Sequence, residues 1–262
     1  MIAMQQPRQK YYSSLAGFRE YFKKGVPMLT YHKVGVRPAG TLFKALYVSP
    51  DLFKRQMKEL KQSGIEVAGV GRGLAGVGKD RIALAITFDD GFENAFRNSL
   101  GPLAENGFHA TQYLVAGMLG GRNEWDMALG EVPERLMDVA QVREWLAAGH
   151  EIGAHSMTHP NLSEIQPAKA REEIVASKKK LEDTFGVRIE HFCYPYGGWN
   201  ETVRDLVAEA GYLTACTSDR GINTPATPRL ELKRWLARPP GVRPKEVLAR
   251  FLDKVFTAPT DR

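Results

Sequence analysis

The sequence feature that most constrains the fold is a short apolar run that ends in two adjacent carboxylates. Residues 82–88 read IALAITF, and Asp89, Asp90 and Gly91 follow directly. An apolar run of this length, bounded by polar residues, predicts a strand that is buried on both faces, as in parallel sheets. Active sites of parallel α/β folds gather at the carboxyl ends of strands, so both aspartates are candidates for catalysis or metal binding. The structural alternative is that they cap the helix that starts after Gly91.

Strand-like and helix-like segments alternate from residue 26 onward. The predicted strands are 26–31, 65–68, 82–88, 110–115, 151–154, 191–194, 212–217 and 231–236. The predicted helices are 50–63, 92–105, 138–148, 167–185, 201–210 and 242–255. This order predicts an α/β fold whose parallel sheet is covered by helices and is either open or closed into a barrel. The glycine-rich segment 69–78 lacks the Lys and Ser/Thr of a phosphate-binding loop, so we predict turns there.

The first 25 residues form a predicted amphipathic extension, and residues 26–262 show no repeat or linker and form one predicted domain. In the extension, apolar and aromatic side chains recur at helical spacing beside basic ones; they are Tyr11, Leu15, Phe18 and Phe22, with Arg19, Lys23 and Lys24 nearby. We expect this stripe to pack onto the domain, as amphipathic helices of globular proteins do. The alternative is peripheral contact with an anionic membrane surface.

Composition limits the partners that the chain can have. The net charge is +6, but the basic residues are dispersed and no zinc-finger spacing occurs, so we do not expect nucleic-acid binding. The only two cysteines, Cys193 and Cys216, cannot form a disulfide framework and are expected to be reduced. No apolar run approaches the ~20 residues that span a bilayer, and residues 1–10 lack the apolar core of a secretory signal. We therefore expect a cytoplasmic protein, of undetermined oligomeric state.

A second polar motif follows the predicted strand 151–154. The stretch 155–160 reads HSMTHP, which places His155 and His159 four residues apart. On a helical turn this spacing would put both imidazoles on one face. Two histidines and one carboxylate form the ligand set of hydrolytic zinc sites, although structural histidines or caps are the alternative.

A third motif, Tyr-Pro-Tyr-Gly at residues 194–197, follows the predicted strand 191–194. Pro195 stiffens this turn, and the backbone N–H of Tyr196 is a candidate donor to a developing oxyanion. Alone, the motif is only a turn with aromatic faces. Trp125, Asp126 and Trp199 lie on loops after strands, where they are candidates for contacts with a ligand or, alternatively, for anchoring their loops.

The three motifs, in this order and at this spacing, resemble those of the polysaccharide deacetylases of carbohydrate esterase family 4. The resemblance covers roughly residues 26 to 236. It implies a distorted (β/α) barrel of about seven strands that holds one divalent metal ion, most often Zn²⁺, with Co²⁺ or Ni²⁺ as alternatives. It also implies site roles: Asp89 as general base, Asp90, His155 and His159 as metal ligands, and the N–H of Tyr196 as oxyanion donor.

The chain departs from the family pattern at two positions. Many members carry an arginine that pairs with the base where this chain has Cys193, and Arg234 is the candidate to replace it. Many members also carry a late histidine as general acid, but no histidine follows His191. The chain resembles more closely the branch that acts on poly-N-acetylglucosamine, in which the acid histidine lies on the N-terminal strand. The matching position here is His32.

The resemblance implies hydrolysis of an acetyl group, chiefly N-acetyl, on an amino sugar that is a polymer, an oligosaccharide or a glycoconjugate. Asp89, His32 and Tyr196 are then catalytic, and the predicted substrate contacts are Trp125, Asp126, Pro195, Trp199 and Arg234. Two alternatives stay open: a metal-dependent hydrolase of a small non-sugar amide, and a catalytically silent carbohydrate-binding relative. The presence of the base and of all three ligand types disfavours the silent relative, because a binding protein needs none of them.

Overall fold

The computed structural model describes residues 11–75 and 83–238 of the chain. The strands are β1 (Met28–Tyr31), β2 (Lys33–Val34), β3 (Tyr47–Val48), β4 (Glu66–Ala68), β5 (Ala83–Phe88), β6 (Thr111–Leu114), β7 (Glu151–Ala154), β8 (His191–Cys193), β9 (Thr214–Cys216) and β10 (Trp235–Leu236). The α-helices are α1 (Arg19–Phe22), α2 (Pro50–Gln62), α3 (Val70–Leu74), α4 (Glu93–Asn106), α5 (Glu124–Met127), α6 (Val139–Ala147), α7 (Pro167–Phe185) and α8 (Glu201–Glu209).

One parallel sheet organises these elements. Its strands follow the order β10-β1-β5-β6-β7-β8-β9, and β4 pairs with the first half of β5 beside this path. The chain before β10 forms a parallel bridge to β9 through Leu232 and Cys216, and β10 itself pairs with β1. Residues 232–236 therefore link the two edges of the curled sheet. This arrangement confirms the predicted single α/β domain and its distorted barrel of about seven strands.

The two faces of the sheet have different surroundings. Leu84, Ile86 and Phe88 of β5 belong to the large core between the sheet and the helices. Ala85, on the opposite face, belongs to a small cluster inside the barrel that also contains Tyr113. Side chains alternate between the two faces of a strand. The row of inward-facing side chains that includes Ala85 therefore continues past the end of β5 to the mouth of the barrel.

Several helix starts follow the capping chemistry that the sequence indicates. The Ser49 hydroxyl accepts the backbone N–H of Leu52 at 3.3 Å, and Pro50 occupies the first position of α2. At α6, Asp138 and Gln141 form a reciprocal capping box. These caps satisfy backbone N–H groups that have no partner inside a helix.

Two predicted elements of the domain differ from the structure. Residues 70–74 form helix α3 instead of turns, and Gly73 allows this helix to lie close to Ala85 of β5. The predicted strand 231–236 is reduced to β10, because the Asn223 side chain binds both the N–H and the C=O of Lys233 and replaces ladder partners there. The predicted helix 242–255 lies outside the described residues.

The N-terminal aromatic stripe packs against the barrel. Phe18 is fully buried, and its ring lies edge-on to Trp235 at 5.0 Å. Tyr12 forms a parallel bridge to Ala237, which extends the pairing beyond β10. The segment is a short 3₁₀ turn followed by the four-residue α1, and not the longer helix that the spacing predicts. Within the described part of the chain, no helix has both the length and the apolar character needed to cross a bilayer.

We expect Phe18→Ala to lower the free energy of unfolding by about 3–5 kcal/mol, the usual cost of removing a buried aromatic side chain. Chemical denaturation followed by circular dichroism measures this. Val36→Ala, at a position that is 86% exposed, is the control and should change stability by less than about 0.5 kcal/mol. Unchanged stability of Phe18→Ala, together with flotation of the intact protein on anionic vesicles, would instead support the membrane alternative.

Candidate active site

A cavity of about 560 Å³ opens at the carboxyl ends of the strands. It is lined by every residue that the sequence analysis assigned to the site except Pro195 and Trp199; these lining residues are His32, Asp89, Asp90, Trp125, Asp126, His155, His159, Tyr196 and Arg234. They come from loops that are far apart in sequence. The parallel sheet brings them together because all of its strands end on the same side.

The Asp89 carboxylate and the Arg234 guanidinium form a buried two-pronged ion pair. The Nη1–Oδ1 distance is 2.7 Å and the Nη2–Oδ2 distance is 2.9 Å. Burial by itself favours the neutral carboxyl, but the Arg234 charge outweighs this effect, with help from His32, and lowers the pKa of Asp89 below its ordinary value. Asp89 is therefore an ionised carboxylate at neutral pH.

Arg234 is held in place by groups on the inner face of the barrel. Its Nη1 donates to the hydroxyls of Thr30 at 2.8 Å and Thr87 at 3.2 Å, and its Nε donates to the Thr217 carbonyl at 3.0 Å. Its Nη2 also lies 3.1 Å from Sγ of Cys193. Arg234 thus contacts both Asp89 and Cys193, the position at which the family resemblance implies an arginine.

His32 lies beside the same aspartate. Residues of β1 and β5 are in register, with Tyr31 opposite Phe88, so the following residues of the two chains emerge together at the mouth. The His32 Nε2 is 3.8 Å from the Asp89 Oδ2, and its Nδ1 has no hydrogen-bond partner among the described residues. Burial lowers the pKa of His32, and the carboxylates of Asp90 and Asp89 only partly offset this.

Asp90, His155 and His159 converge on one point. The Asp90 Oδ1 lies 3.3 Å from Nε2 of each histidine, and the two Nε2 atoms are 3.2 Å apart. All three side chains are buried. The adjacent aspartates therefore face different partners: Asp89 contacts an arginine, whereas Asp90 contacts the histidine pair.

The loop that carries the histidines is not the helical turn that their spacing suggested. Ser156 and His159 have φ values of 64° and 66°, and Asp90 has φ 74°, all in the left-handed region. Glu173 of α7 stabilises this loop by accepting the N–H groups of Met157 and Thr158, each at 2.8 Å. Left-handed backbone at non-glycine residues costs free energy and clusters at functional sites, where surrounding contacts hold it.

The donor set fits a divalent metal ion of the zinc type. His155 Nδ1 lies 2.7 Å from the Cys193 carbonyl oxygen, which can only accept, so in the neutral imidazole Nδ1 carries the proton and Nε2 presents a lone pair. A ligating histidine usually donates its second N–H in this way. Two imidazole nitrogens and one carboxylate oxygen are three protein ligands that leave a position for water or substrate.

Aromatic and acidic side chains form the wall next to this cluster. The Trp125 ring stacks on His159 at 4.6 Å, and the Tyr196 ring meets His159 edge-on at 4.5 Å. Tyr196 adopts φ 59° and ψ 2°, which turns the chain sharply after β8. Burial, reinforced by the charge of Asp90, raises the pKa of Asp126 to about 7, so Asp126 can donate as well as accept a hydrogen bond near neutral pH.

Two of the predicted substrate contacts do not line the cavity. Pro195 is buried, and the Trp199 ring stacks on Tyr194 at 6.1 Å. The cavity also contains residues that the sequence analysis did not single out for the site, among them Thr30, Phe43 and Arg238. Arg238 could have been found from the alternation after Arg234, since residues two apart on an extended chain share a face.

A distorted parallel barrel with an ionised aspartate and a ligand cluster at the carboxyl ends of its strands is the arrangement of a barrel enzyme. The comparison with protein families then identifies the group. The model of the polysaccharide deacetylase family matches residues 76–215, more than half of the chain. The chain belongs to the polysaccharide deacetylase family.

Individual relatives agree with this assignment. The putative polysaccharide deacetylase YxkH of Bacillus subtilis is 23% identical over 200 residues, which are 75% of this chain and 65% of that protein. A chitooligosaccharide deacetylase of Bradyrhizobium is 34% identical over 71 residues, 27% of this chain and 32% of that protein. The chain therefore spans less than two thirds of the length of these relatives.

Solved structures share the fold. A putative polysaccharide deacetylase from Bacillus anthracis has a TM-score of 0.71 and 25% identity, over 86% of this chain and 68% of that chain. The Streptococcus pyogenes deacetylase PplD, solved in complex with acetate, has a TM-score of 0.70 and 22% identity, over 86% of this chain and 97% of that chain.

Proposed function

We propose that this chain is a metal-dependent hydrolase that removes N-acetyl groups from an acetylated amino sugar. The observation that carries the proposal is the convergence of Asp90, His155 and His159 next to the Asp89–Arg234 ion pair. A metal-ligand set and an ionised base in one cavity are two of the elements with which metal-dependent hydrolases cleave an unactivated amide. Membership of the polysaccharide deacetylase family supports an acetylated sugar as the substrate.

In this proposal Asp90, His155 and His159 hold one divalent ion, most simply Zn²⁺. When bound, such an ion supplies Lewis-acid polarisation of the acetyl carbonyl group. The carbonyl oxygen of Cys193 orients His155, and the backbone of the loop keeps His159 in position. The chain thus contributes a preorganised ligand set.

Asp89 is the proposed general base. Its carboxylate is ionised, so it can accept a proton from the water that attacks the acetyl carbon. Arg234 fixes the orientation of the carboxylate through two hydrogen bonds and keeps its pKa low. The Asp89 carboxylate therefore does not need to rearrange when the water attacks.

His32 is the proposed general acid, and the backbone N–H of Tyr196 is the proposed oxyanion donor. An amine leaves readily only after protonation, so the nitrogen of the scissile bond needs a donor. Because the pKa of His32 is lowered, its imidazolium form is a stronger acid than the imidazolium of an ordinary histidine. Trp125 and Asp126 offer an aromatic face and a hydrogen-bonding group to the sugar.

The ligand assignment predicts that His155→Ala and His159→Ala each abolish stoichiometric binding of one Zn²⁺ per chain, because two protein ligands make a poor zinc site. Elemental analysis after dialysis measures the metal, and acetate release from a panel of N-acetylated sugars measures the activity. His109→Ala, at a histidine outside the cavity, is the matched control and should keep its metal.

Two results would contradict the proposal. Retention of one metal per chain in both variants would show that the ligands are elsewhere. Metal-loaded wild-type protein that hydrolyses small non-sugar amides, but no acetylated sugar, would support the alternative substrate class instead.

A further inference from the structure

Arg238 is a buried cation in the wall of the cavity. Its exposure is only 7%, and it lines the same cavity as His32, Asp89 and Arg234. Within the described part of the chain, its Nε has no hydrogen-bond partner. Among residues 11–75 and 83–238, no carboxylate lies within ion-pair distance of its guanidinium. A buried charge normally has a partner, so this arginine requires an explanation.

The position of Arg238 follows from the backbone of β10. Arg234, Leu236 and Arg238 alternate along an extended segment and all line the cavity, whereas Trp235 and Ala237 belong to the outer core. The pairing continues past β10. The N–H of Ala237 donates to the carbonyl oxygen of Thr30, and the N–H of Arg238 donates to the carbonyl oxygen of Tyr12. At ~3.3 Å per residue, the Cα atoms of Arg234 and Arg238 are ~13 Å apart along the strand.

The N-terminal segment helps to hold this arginine. The centre of the Arg238 guanidinium lies 5.6 Å from the centroid of the Tyr11 ring, a cation–π contact. Tyr11 is itself part of the cavity wall. The ring orients the guanidinium without neutralising it, so the charge remains available to an anion.

The acidic residues of the cavity already have other partners. Asp89 is paired with Arg234, and Asp90 faces His155 and His159. Asp126, whose pKa lies near 7, is held by Asn123 at 3.1 Å. None of these three acids therefore pairs with the Arg238 guanidinium, which lines the cavity. Burial also lowers the pKa of Arg238, and the contact with Tyr11 offsets this only in part.

We propose that Arg238 binds an anionic group of the substrate, a carboxylate or a phosphate that lies on the far side of the sugar from the acetyl group under attack. A planar guanidinium binds both groups through paired hydrogen bonds. The anionic group would sit toward the Tyr11 side of the cavity, while the acetyl group lies at Asp89. This inference rests on the proposed deacetylase function and specifies its substrate class as an acidic or phosphorylated acetamido sugar.

The test compares matched ligands that differ in charge. The neutral probe is N-acetylglucosamine, the carboxylate probe is N-acetylmuramic acid, and the phosphate probes are N-acetylglucosamine 1-phosphate and UDP-N-acetylglucosamine. Isothermal titration measures binding to the full-length chain, and acetate release measures kcat/KM. The binding arm does not depend on hydrolysis, so a failure of the proposed function and a failure of this inference can be told apart.

For wild-type protein we expect at least one anionic probe to bind about 10- to 100-fold more tightly than the neutral probe, the range for hydrogen bonds between charged groups. Whether the carboxylate or the phosphate probes show the gain identifies the group. Arg238→Gln should remove this preference, and Arg238→Lys should restore part of it. Arg188→Gln is the control, because the Arg188 side chain is 82% exposed.

Two outcomes would overturn the inference. One is wild-type protein that binds the neutral and all anionic probes equally. The other is an Arg238→Gln variant that is folded by circular dichroism and keeps the preference. If Arg238→Gln does not fold, the wild-type preference and the Arg238→Lys variant still decide the matter.

Discussion

Asp89→Asn should lower turnover of an acetylated sugar by about 10²–10⁴-fold, the usual contribution of a general base, while one metal ion per chain stays bound. The reason is the geometry: both carboxylate oxygens of Asp89 pair with Arg234, whereas Asp90 contacts both histidines. An amide in its place keeps the shape and one hydrogen-bond acceptor for Arg234, but it cannot accept the proton of an attacking water.

Asp90→Asn provides the matched comparison. Both variants replace a buried aspartate by its amide, and the two positions are adjacent in sequence. Because Asp90 lies 3.3 Å from both histidines, its loss should weaken metal binding itself. Metal content by elemental analysis and kcat by acetate release therefore separate the two roles. Equal metal loss in both variants would show that Asp89 and Asp90 do not have separate roles as general base and metal ligand.

A stability control is needed for Asp89→Asn, because it leaves the buried Arg234 charge without a counter-charge. Removing one partner of a buried ion pair costs about 3–5 kcal/mol. Thermal unfolding should therefore be measured on the same preparations, and activity should be assayed well below the unfolding temperature. A variant that is folded, metal-loaded and inactive is the expected result.

His32→Gln should keep the fold and the metal but lower amide turnover by about 10²–10⁴-fold, the contribution expected of a general acid. His32 is not part of the cluster of Asp90, His155 and His159, and its Nδ1 makes no hydrogen bond to any other described residue. It stands next to Asp89, where a proton taken from water would arrive.

An activated ester distinguishes a general acid from a residue that only shapes the site. Its leaving group departs without protonation, so the defect of His32→Gln should shrink markedly on an aryl acetate. The kcat ratio of wild-type to variant protein on the two substrates is the measurement. Near-normal amide hydrolysis by the variant would exclude His32 as the acid, and an equal defect on both substrates would indicate a structural role.

The sequence determined the fold and the main chemical motifs. The apolar run that ends in Asp89 and Asp90 identified the central strand, because buried parallel strands have this composition. Strand ends of a parallel sheet share one edge, so the motifs at Asp89, His155 and Tyr196 could be assigned to one site before any coordinate was known. The spacing of these motifs also indicated the family.

Only the tertiary structure decided which residues complete the site. Arg234 and Asp89 are 145 positions apart, and their contact depends on how residues 232–236 close the barrel. The histidine loop is held by left-handed backbone and by Glu173. The helical spacing rule therefore predicted that His155 and His159 lie together, although the loop that carries them is not a helical turn. Sequence patterns report local periodicity, whereas ion pairs, cavity walls and buried charges such as that of Arg238 arise from contacts between distant segments.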